Sequence, residues 1–258
     1  MSEIQKSKEA RREGSTLFEG MVSLRAVLTS PLPDARKIEE VFYDEARAKK
    51  EPREYAFLRA KASERGFALT LLPRGKIDEM TLGTTHGGVA ARCSDRRLPR
   101  LDGKDVTDGG FYCMLDGIED PFNFGYALRS IAAAGANGVI LSERNWMSAA
   151  GTVCRSSAGA SESIPMYVCD ALEAAKLFRE KDYKIVCSDI ENSTPLFDAD
   201  MKKPLLLIVG GEKRGISRSL LDACDEIVRI PYGCEYKASL SAASAAAILA
   251  FEVVRQNT

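Results

Sequence analysis

From about residue 109 to the C-terminus, apolar residues come in short runs separated by amphipathic stretches. FYCMLDG, VILSE, MYVCD, YKIVCSD, LLLIVGG and EIVRIPYG are rich in branched or aromatic side chains and bounded by Gly, Pro or Asp, as buried strands are. Between them DPFNFGYALRSIAAAGA reads as a helix entered through Asp120 and Pro121 and stopped at Gly135. A second helix is expected from Ala171 to Glu180, a short one after Ser217, and a long one running to about Gln256. Strand alternates with helix throughout, which predicts an α/β fold with a mostly parallel sheet and helices on both faces.

The first part of the chain reads as a smaller unit. Met21, Leu24 and Leu28 share a helical face, with Thr16 and Glu19 spaced as a capping box for a helix from about Phe18. KIEEVFYD, FALTLLP and GGVAARCS look like strands, and REYAFLRAKASERG like a helix stopped by Gly66. These elements suggest a small α/β/α sandwich over residues 16–97. Residues 1–15 read as a charged arm, 98–108 as a linker rich in Pro, Gly and charge, and 109–258 as the second domain.

Composition narrows the function classes. At 45% hydrophobic and 28% charged, the chain has the balance of a soluble globular protein, and no apolar run nears the roughly 20 residues a membrane helix needs. MSEIQKSKEARREGS lacks the apolar core of a signal peptide, so a cytoplasmic protein without membrane partners is expected. Seven cysteines form no C-x-x-C pair and several sit in apolar runs, which favours reduced, buried thiols over zinc or disulfides. His86 is the one histidine, which argues against His-based metal sites and His-containing triads. Net charge is −1, yet residues 1–108 carry about +3 and the remainder about −4. Arg92, Arg96, Arg97 and Arg100, with Lys104, make one basic stretch that is either a phosphate-contacting edge or a solvated linker.

Three stretches stand out as candidate chemistry. GGEKRGIS begins at Gly210 after an apolar strand and spaces Gly210 and Gly215 as a phosphate-binding loop does. Ile216 stands where that loop needs Lys, and Glu212 would repel a triphosphate, so a nucleotide hydrolase is disfavoured. Glycines still allow close approach of backbone to a flat ligand, and such a loop lies where open α/β sheets bind ligands. DGIEDPFNFGYALRS places Asn123 and Arg129 on or beside a helix that opens after a strand end. Spacing alone does not put the two on one face. IPYGCEYKASLSAASAAAILAFE leads from a turn into a small-residue helix whose start carries Ser239, Ser241 and Ser244. Caps and close helix packing would account for these residues as well as a ligand would.

Together the three stretches resemble the SpoU/TrmH branch of the trefoil-knotted (SPOUT) RNA methyltransferases. NFG at Asn123 to Gly125 with Arg129 fits that family's first motif, VGGEKRGIS its second, and IPYGCEYKASLS its third apart from the last residue. VCRSSAGASESIPM and STPLFDADMKKP also look like family segments, and HGGVAA resembles the RNA-binding N-terminal domain common in this branch. The resemblance implies S-adenosylmethionine as cofactor with no metal, a knotted C-terminal domain, a homodimer through that domain, and methyl transfer to a ribose 2′-OH of rRNA or tRNA. It implies that Val209, Gly210, Gly211, Glu212, Gly215, Ile230, Tyr232 and Leu240 line the cofactor pocket. It also implies that Arg129 stabilises the reacting oxygen, that Asn123 and Glu212 orient their motifs, and that Ser239 and Ser241 complete the site. Ser241 departs from the pattern, which commonly has Asn there. A knotted RNA-binding protein without turnover is the alternative that this departure favours, and base methylation by a related fold stays open.

Overall fold

The computed structural model describes residues 15–258 except 84, 143–148, 212–214 and 236. The arm expected over residues 1–15 lies outside this range but for Ser15. The chain forms two compact units, residues 15–97 with 149–163, and residues 98–142 with 164–258.

In the first unit β1 (Ser15–Glu19) pairs antiparallel with β4 (Val89–Ser94), β4 antiparallel with β2 (Ile38–Asp44), and β2 parallel with β3 (Ala68–Leu72). One face buries Phe18, Val41, Tyr43 and Val89 with Leu24 and Val27 of α1 (Gly20–Leu28) and Leu58 of α3 (Pro52–Arg65). The other buries Phe42 and Ala90 beneath Ile77 of α4 (Arg74–Met80), giving three layers. Helix α3 starts with Pro52 in its first turn and ends at Gly66 in the left-handed conformation, as its sequence predicts. A short α2 (Glu45–Lys50) precedes it, capped by the Asp44 side chain accepting from the Ala46 N–H.

The expected capping box at Thr16 and Glu19 is not formed. Residues 15–19 are a strand because β4 supplies them a partner, Ser15 facing Ser94 and Glu19 facing Ala90. Thr16 Oγ1 instead donates to Asp95 Oδ1 at 2.8 Å, and Glu19 Oε1 accepts from the Leu82 N–H at 2.6 Å.

Residues 149–163 belong to this unit although they are separated from it in sequence. Gly151 of α6 (Ala150–Ser156) touches the Leu17 carbonyl where any Cβ would overlap, and a Cβ on Gly159 would lie 2.5 Å from that of Ala26. Arg36 Nε donates to Glu162 Oε2 at 3.2 Å, both side chains being about 95% or more buried. Arg96 Nε donates to Asp34 Oδ2 at 2.6 Å and its Nη1 to the Ser161 carbonyl at 2.9 Å.

The second unit is a seven-stranded parallel sheet in the order β7-β6-β5-β10-β8-β11-β9. Its strands are β5 (Phe111–Asp116), β6 (Gly138–Leu141), β7 (Met166–Val168), β8 (Lys184–Ser188), β9 (Thr194–Pro195), β10 (Leu205–Gly210) and β11 (Glu226–Arg229). The helices are α5 (Pro121–Ala133), α7 (Ala171–Arg179), α8 (Arg218–Asp222) and α9 (Ala242–Gln256). Leu205 to Val209 are all buried, which explains why β10 reads as an uninterrupted apolar run.

Residues 98–108 are part of this unit and not a free linker. Leu101 and Val106 sink into its core, the Leu101 N–H donates to the Val168 carbonyl at 3.0 Å, and Tyr112 Oη donates to the Asp105 carbonyl at 2.9 Å. Two apolar anchors among Pro, Gly and charged residues suffice to hold the segment down. The expectation of reduced cysteines is also corrected at one place. Cys187 of β8 and Cys224, two residues past α8, are joined as a disulfide with Cα atoms 6.2 Å apart. Their separation of 37 residues left no local signal.

Candidate active site

The C-terminal ends of β5, β10 and β11 carry the three stretches singled out above. β5 and β10 are neighbours in register, Val209 facing Leu115 and Gly210 facing Asp116. Beyond the strand ends the two loops meet backbone to backbone. A Cβ on Gly211 would overlap the Gly117 carbonyl oxygen and stand 3.1 Å from Gly117 Cα. Gly117 takes φ +86°, which favours glycine. A Cβ on Gly210 would press within 2.9 Å of Ile216 Cγ1. The Gly215 N–H donates to the Gly211 carbonyl at 3.1 Å, so the loop closes on itself, with Gly215 at φ +60°. Gly210, Gly211 and Gly117 thus present bare backbone, a cradle at the end of a buried strand. Glu212, inside this loop, lies outside the described residues.

Helix α5 begins five residues past Asp116. Asp120 caps it, its Oδ2 accepting from the Asn123 N–H at 2.8 Å. Asn123 therefore sits in the first turn, next to the Gly117 turn, while Arg129 lies about 9 Å further along the axis. Arg129 is exposed and follows Phe122 (51% exposed) and Tyr126 (49%) at helical spacing. The structure thus separates the two residues on one helix instead of bringing their side chains together.

The third stretch leaves β11 at Ile230. Tyr232 Oη accepts from the Leu240 N–H at 3.1 Å, closing the loop between them. Ile230 and Leu240 are half-buried, and Ser239 is exposed. Ser241 is the N-cap of α9: its Oγ accepts from the Ser244 N–H at 3.2 Å and lies 3.0 Å from Ser244 Oγ. The hydroxyl is thus already engaged by the helix it starts. α9 then packs its alanine-rich face on α5 and β10, so the first and third stretches are neighbours. Its far end is clasped to the segment before β10, with Gln256 Oε1 accepting from the Met201 N–H at 2.9 Å. Glu252 takes two hydrogen bonds from Arg255, which hold its carboxyl below the usual range against the opposing effect of burial.

Of the four arginines expected at RNA, two are occupied in the interior. Arg96 is 3% exposed and paired as described, and Arg92 is 8% exposed with its guanidinium over the Phe42 ring. Arg97 is exposed, and so is Arg100, 3.5 Å from Glu173. β4 runs through the centre of its sheet, which draws its arginine inward. Sequence reasoning missed Gly117, whose only signal is a D-G pair at a strand end. His86, the lone histidine, is buried, with Nε2 2.7 Å from Asp78 Oδ1 and Nδ1 accepting from the Gly88 N–H at 3.2 Å. Among the described residues there is no cluster of His, Cys, Asp or Glu that could hold a metal, and no helix long and apolar enough to cross a membrane.

The family model described as SpoU rRNA Methylase matches residues 110–251, which take in the sheet, the three stretches, α5 and most of α9. The chain belongs to the SpoU rRNA Methylase family. Among its relatives, the 23S rRNA (guanosine-2′-O-)-methyltransferase RlmB of Xylella fastidiosa is 33% identical over 244 residues, 92% of this chain and 96% of that one. The TrmH family tRNA/rRNA methyltransferase YacO of Bacillus subtilis, so named as a putative member, is 30% identical over 201 residues, 76% of this chain and 80% of that one. SpoU-type folds are matched over nearly the full length. A solved RNA 2′-O ribose methyltransferase superposes with TM-score 0.79 at 22% identity, covering 98% of this chain and 95% of that one. An AdoMet-bound rRNA methyltransferase from Sinorhizobium meliloti does so with TM-score 0.79 at 23% identity, covering 98% and 94%.

Proposed function

We propose that this chain transfers a methyl group from S-adenosylmethionine to a ribose 2′-OH of ribosomal or transfer RNA. The carrying observation is the backbone contact between Gly117 and Gly211, which joins the first and second motifs of a SpoU methylase into one cradle. Such a cradle suits a cofactor read by backbone groups, because the close packing of Gly210 on Ile216 and of Gly211 on the Gly117 carbonyl admits no side chain and presents main chain there. Val209, Gly210, Gly211 and Gly215 would hold one side of it, and Ile230, Tyr232 and Leu240 the other, with Glu212 in the loop. The cofactor supplies a sulfonium methyl electrophile.

The protein's own task is to hold the ribose oxygen in line and to stabilise negative charge as the hydroxyl loses its proton. Arg129 is assigned that stabilisation, since a guanidinium keeps its charge and offers a planar fork to an oxyanion or the adjacent phosphate. Asn123 orients the start of α5. Ser239 is open to substrate, whereas Ser241 acts through the cap it gives α9. Relatives named for guanosine 2′-O-methylation of 23S rRNA favour that substrate.

Two further properties belong to this reading. The chain pairs with a second copy through α5 and α9, because Phe122 and Tyr126 on one helix and Ile248 and Phe251 on the other are exposed large apolar side chains on two mutually packed helices. That pairing would cover the stripe on which Arg129 lies and complete its site. The C-terminal domain is a trefoil knot, in line with the return of α9 to pack on α5 and β10 after β11.

The test is transfer of labelled methyl from S-adenosylmethionine into total RNA of a strain lacking this gene, followed by digestion to nucleosides. Label in 2′-O-methyl nucleosides is expected. Label in a base would overturn the ribose assignment, and cofactor binding without label would favour the RNA-binding alternative.

A further inference from the structure

In the first unit three arginines from three separate elements border glycines of the segment between α4 and β4. Arg47 of α2 sends Nη1 to the Gly87 carbonyl at 2.5 Å, and a Cβ on Gly87 would stand 2.8 Å from it. Arg74, the first residue of α4, brings Nη1 to 3.4 Å from the Cβ position of Gly88. Arg155 of α6 lies with Nη1 3.5 Å from that of Gly83 and donates to Thr85 Oγ1. A side chain on Gly87 would push the Arg47 guanidinium away and one on Gly88 would overlap Asp44, while Arg74 and Arg155 stand at ordinary contact distance from Gly88 and Gly83.

Each arginine is held by a carboxylate, and the depth of the partners matters. Arg155 is 40% exposed while Glu19, 2.7 Å from it, is 9% exposed. Arg47 is 27% exposed over Glu54 at 16%, 2.8 Å away. Two carboxylates therefore lie beneath their guanidiniums and leave the cationic side outward. Only Asp78, 3.2 Å from Arg74, shares its partner's 42% exposure. That carboxylate is also bonded to buried His86, which fixes the turn from inside. Tyr43 braces Arg47 and Glu54 further: its hydroxyl donates to Glu54 at 2.6 Å, and burial followed by that carboxylate pushes its pKa up to about 12. Lys49 and Lys50 extend the positive surface along α2.

A bland reading makes these arginines clamps for a turn, and their carbonyl and carboxylate bonds do clamp it. Clamping does not require three guanidiniums, nor that two of them ride outside the carboxylates that hold them. We propose that Arg47 and Arg74 at Gly87 and Gly88, with Arg155 at Gly83, form a phosphate-binding surface for the backbone of the RNA substrate. Pre-oriented guanidinium forks suit phosphate oxygens in geometry as well as charge. The site rests on the methyltransferase reading above, and it takes the place of the basic stretch at residues 92–100, half of which is buried. It binds backbone and so carries no sequence preference of its own.

The experiment uses the full chain and bulk ribosomal RNA as probe, with the affinity followed from about 50 to 200 mM salt. Arg74→Gln with Arg155→Gln is expected to weaken binding at low salt and to reduce the slope of log affinity against log salt by about two, roughly one for each phosphate that the parent arginines neutralise. Arg74→Gln alone, which removes only a surface pair, is expected to reduce it by about one. Arg74→Lys with Arg155→Lys is expected to keep the slope. An unchanged slope in the double Gln variant, with cofactor affinity and thermal melt as in the parent, would reduce the arginines to clamps and overturn the site. Failure of the parent chain to bind the RNA at all would overturn the methyltransferase reading, and the site with it.

Discussion

The Gly117 carbonyl oxygen occupies the space into which a side chain on Gly211 would have to grow. Two loops that leave adjacent parallel strands are thereby in backbone contact at the point where the cofactor cradle is assigned. Gly211→Ala is expected to cost about 1–3 kcal/mol through overpacking, because the opposing atom is backbone and has nowhere to turn. The same variant should weaken S-adenosylmethionine binding at least tenfold. Urea unfolding and calorimetric titration check both, and full cofactor affinity would place the cradle elsewhere.

Arg129→Ala should leave cofactor affinity close to that of the parent while lowering kcat by about 10²–10³. The residue is exposed and lies about 9 Å along α5 from Asn123, further from the Gly117 turn. Single-turnover methyl transfer with saturating cofactor measures the loss. A drop in cofactor affinity of similar size would reassign Arg129 to the pocket wall.

Tyr126→Glu combined with Phe251→Glu should give a monomer with an unchanged fold. Both side chains are about half exposed, so charge there costs the monomer little, yet it would be desolvated in a paired face. Sedimentation equilibrium distinguishes the states, and methyl transfer should fall together with dimer content. A dimer that survives both substitutions would rule out this face as the interface.

Arg36→Met should destabilise the first unit by about 3 kcal/mol or more. It leaves the Glu162 carboxylate, 3% exposed, with the Ser161 hydroxyl as its remaining described partner, and an uncompensated buried charge is costly. Chemical denaturation followed through this unit would give the value. A loss below about 1 kcal/mol would mean that water or a proton reaches Glu162.

Ser241→Ala should cost about 1 kcal/mol by removing the N-cap of α9, whereas Ser241→Asn should restore it, since Asn caps as well as Ser does. If the departure from the family pattern has no catalytic weight, Ser241→Asn should also leave kcat unchanged. A clear rise in kcat would give position 241 a role at the substrate beyond capping.

Much of the second unit was legible residue by residue. Leu205 to Gly210 is a strand because an unbroken apolar run bounded by glycine can be buried on both faces. α5 begins at Pro121 because Asp120 and Pro121 are local signals that act within one turn. The prolines and caps of the three motifs were legible for the same reason, whereas Gly211 is required by the Gly117 carbonyl of another loop.

What stayed hidden was set by partners distant in the chain. STLFE carries helix signals and becomes a strand because β4, about 75 residues on, offers it a ladder. Residues 149–163 join the first unit through Gly151, Gly159 and Glu162, whose contacts at Leu17, Ala26 and Arg36 lie more than 120 residues away. Arg92 and Arg96 read as a basic edge until the sheet buries one and Asp34 takes the other. Local stereochemistry and hydrophobic period are properties of the chain and can be read along it. Burial, charge pairing and close approach depend on what folds against each residue, and only the tertiary structure decides that.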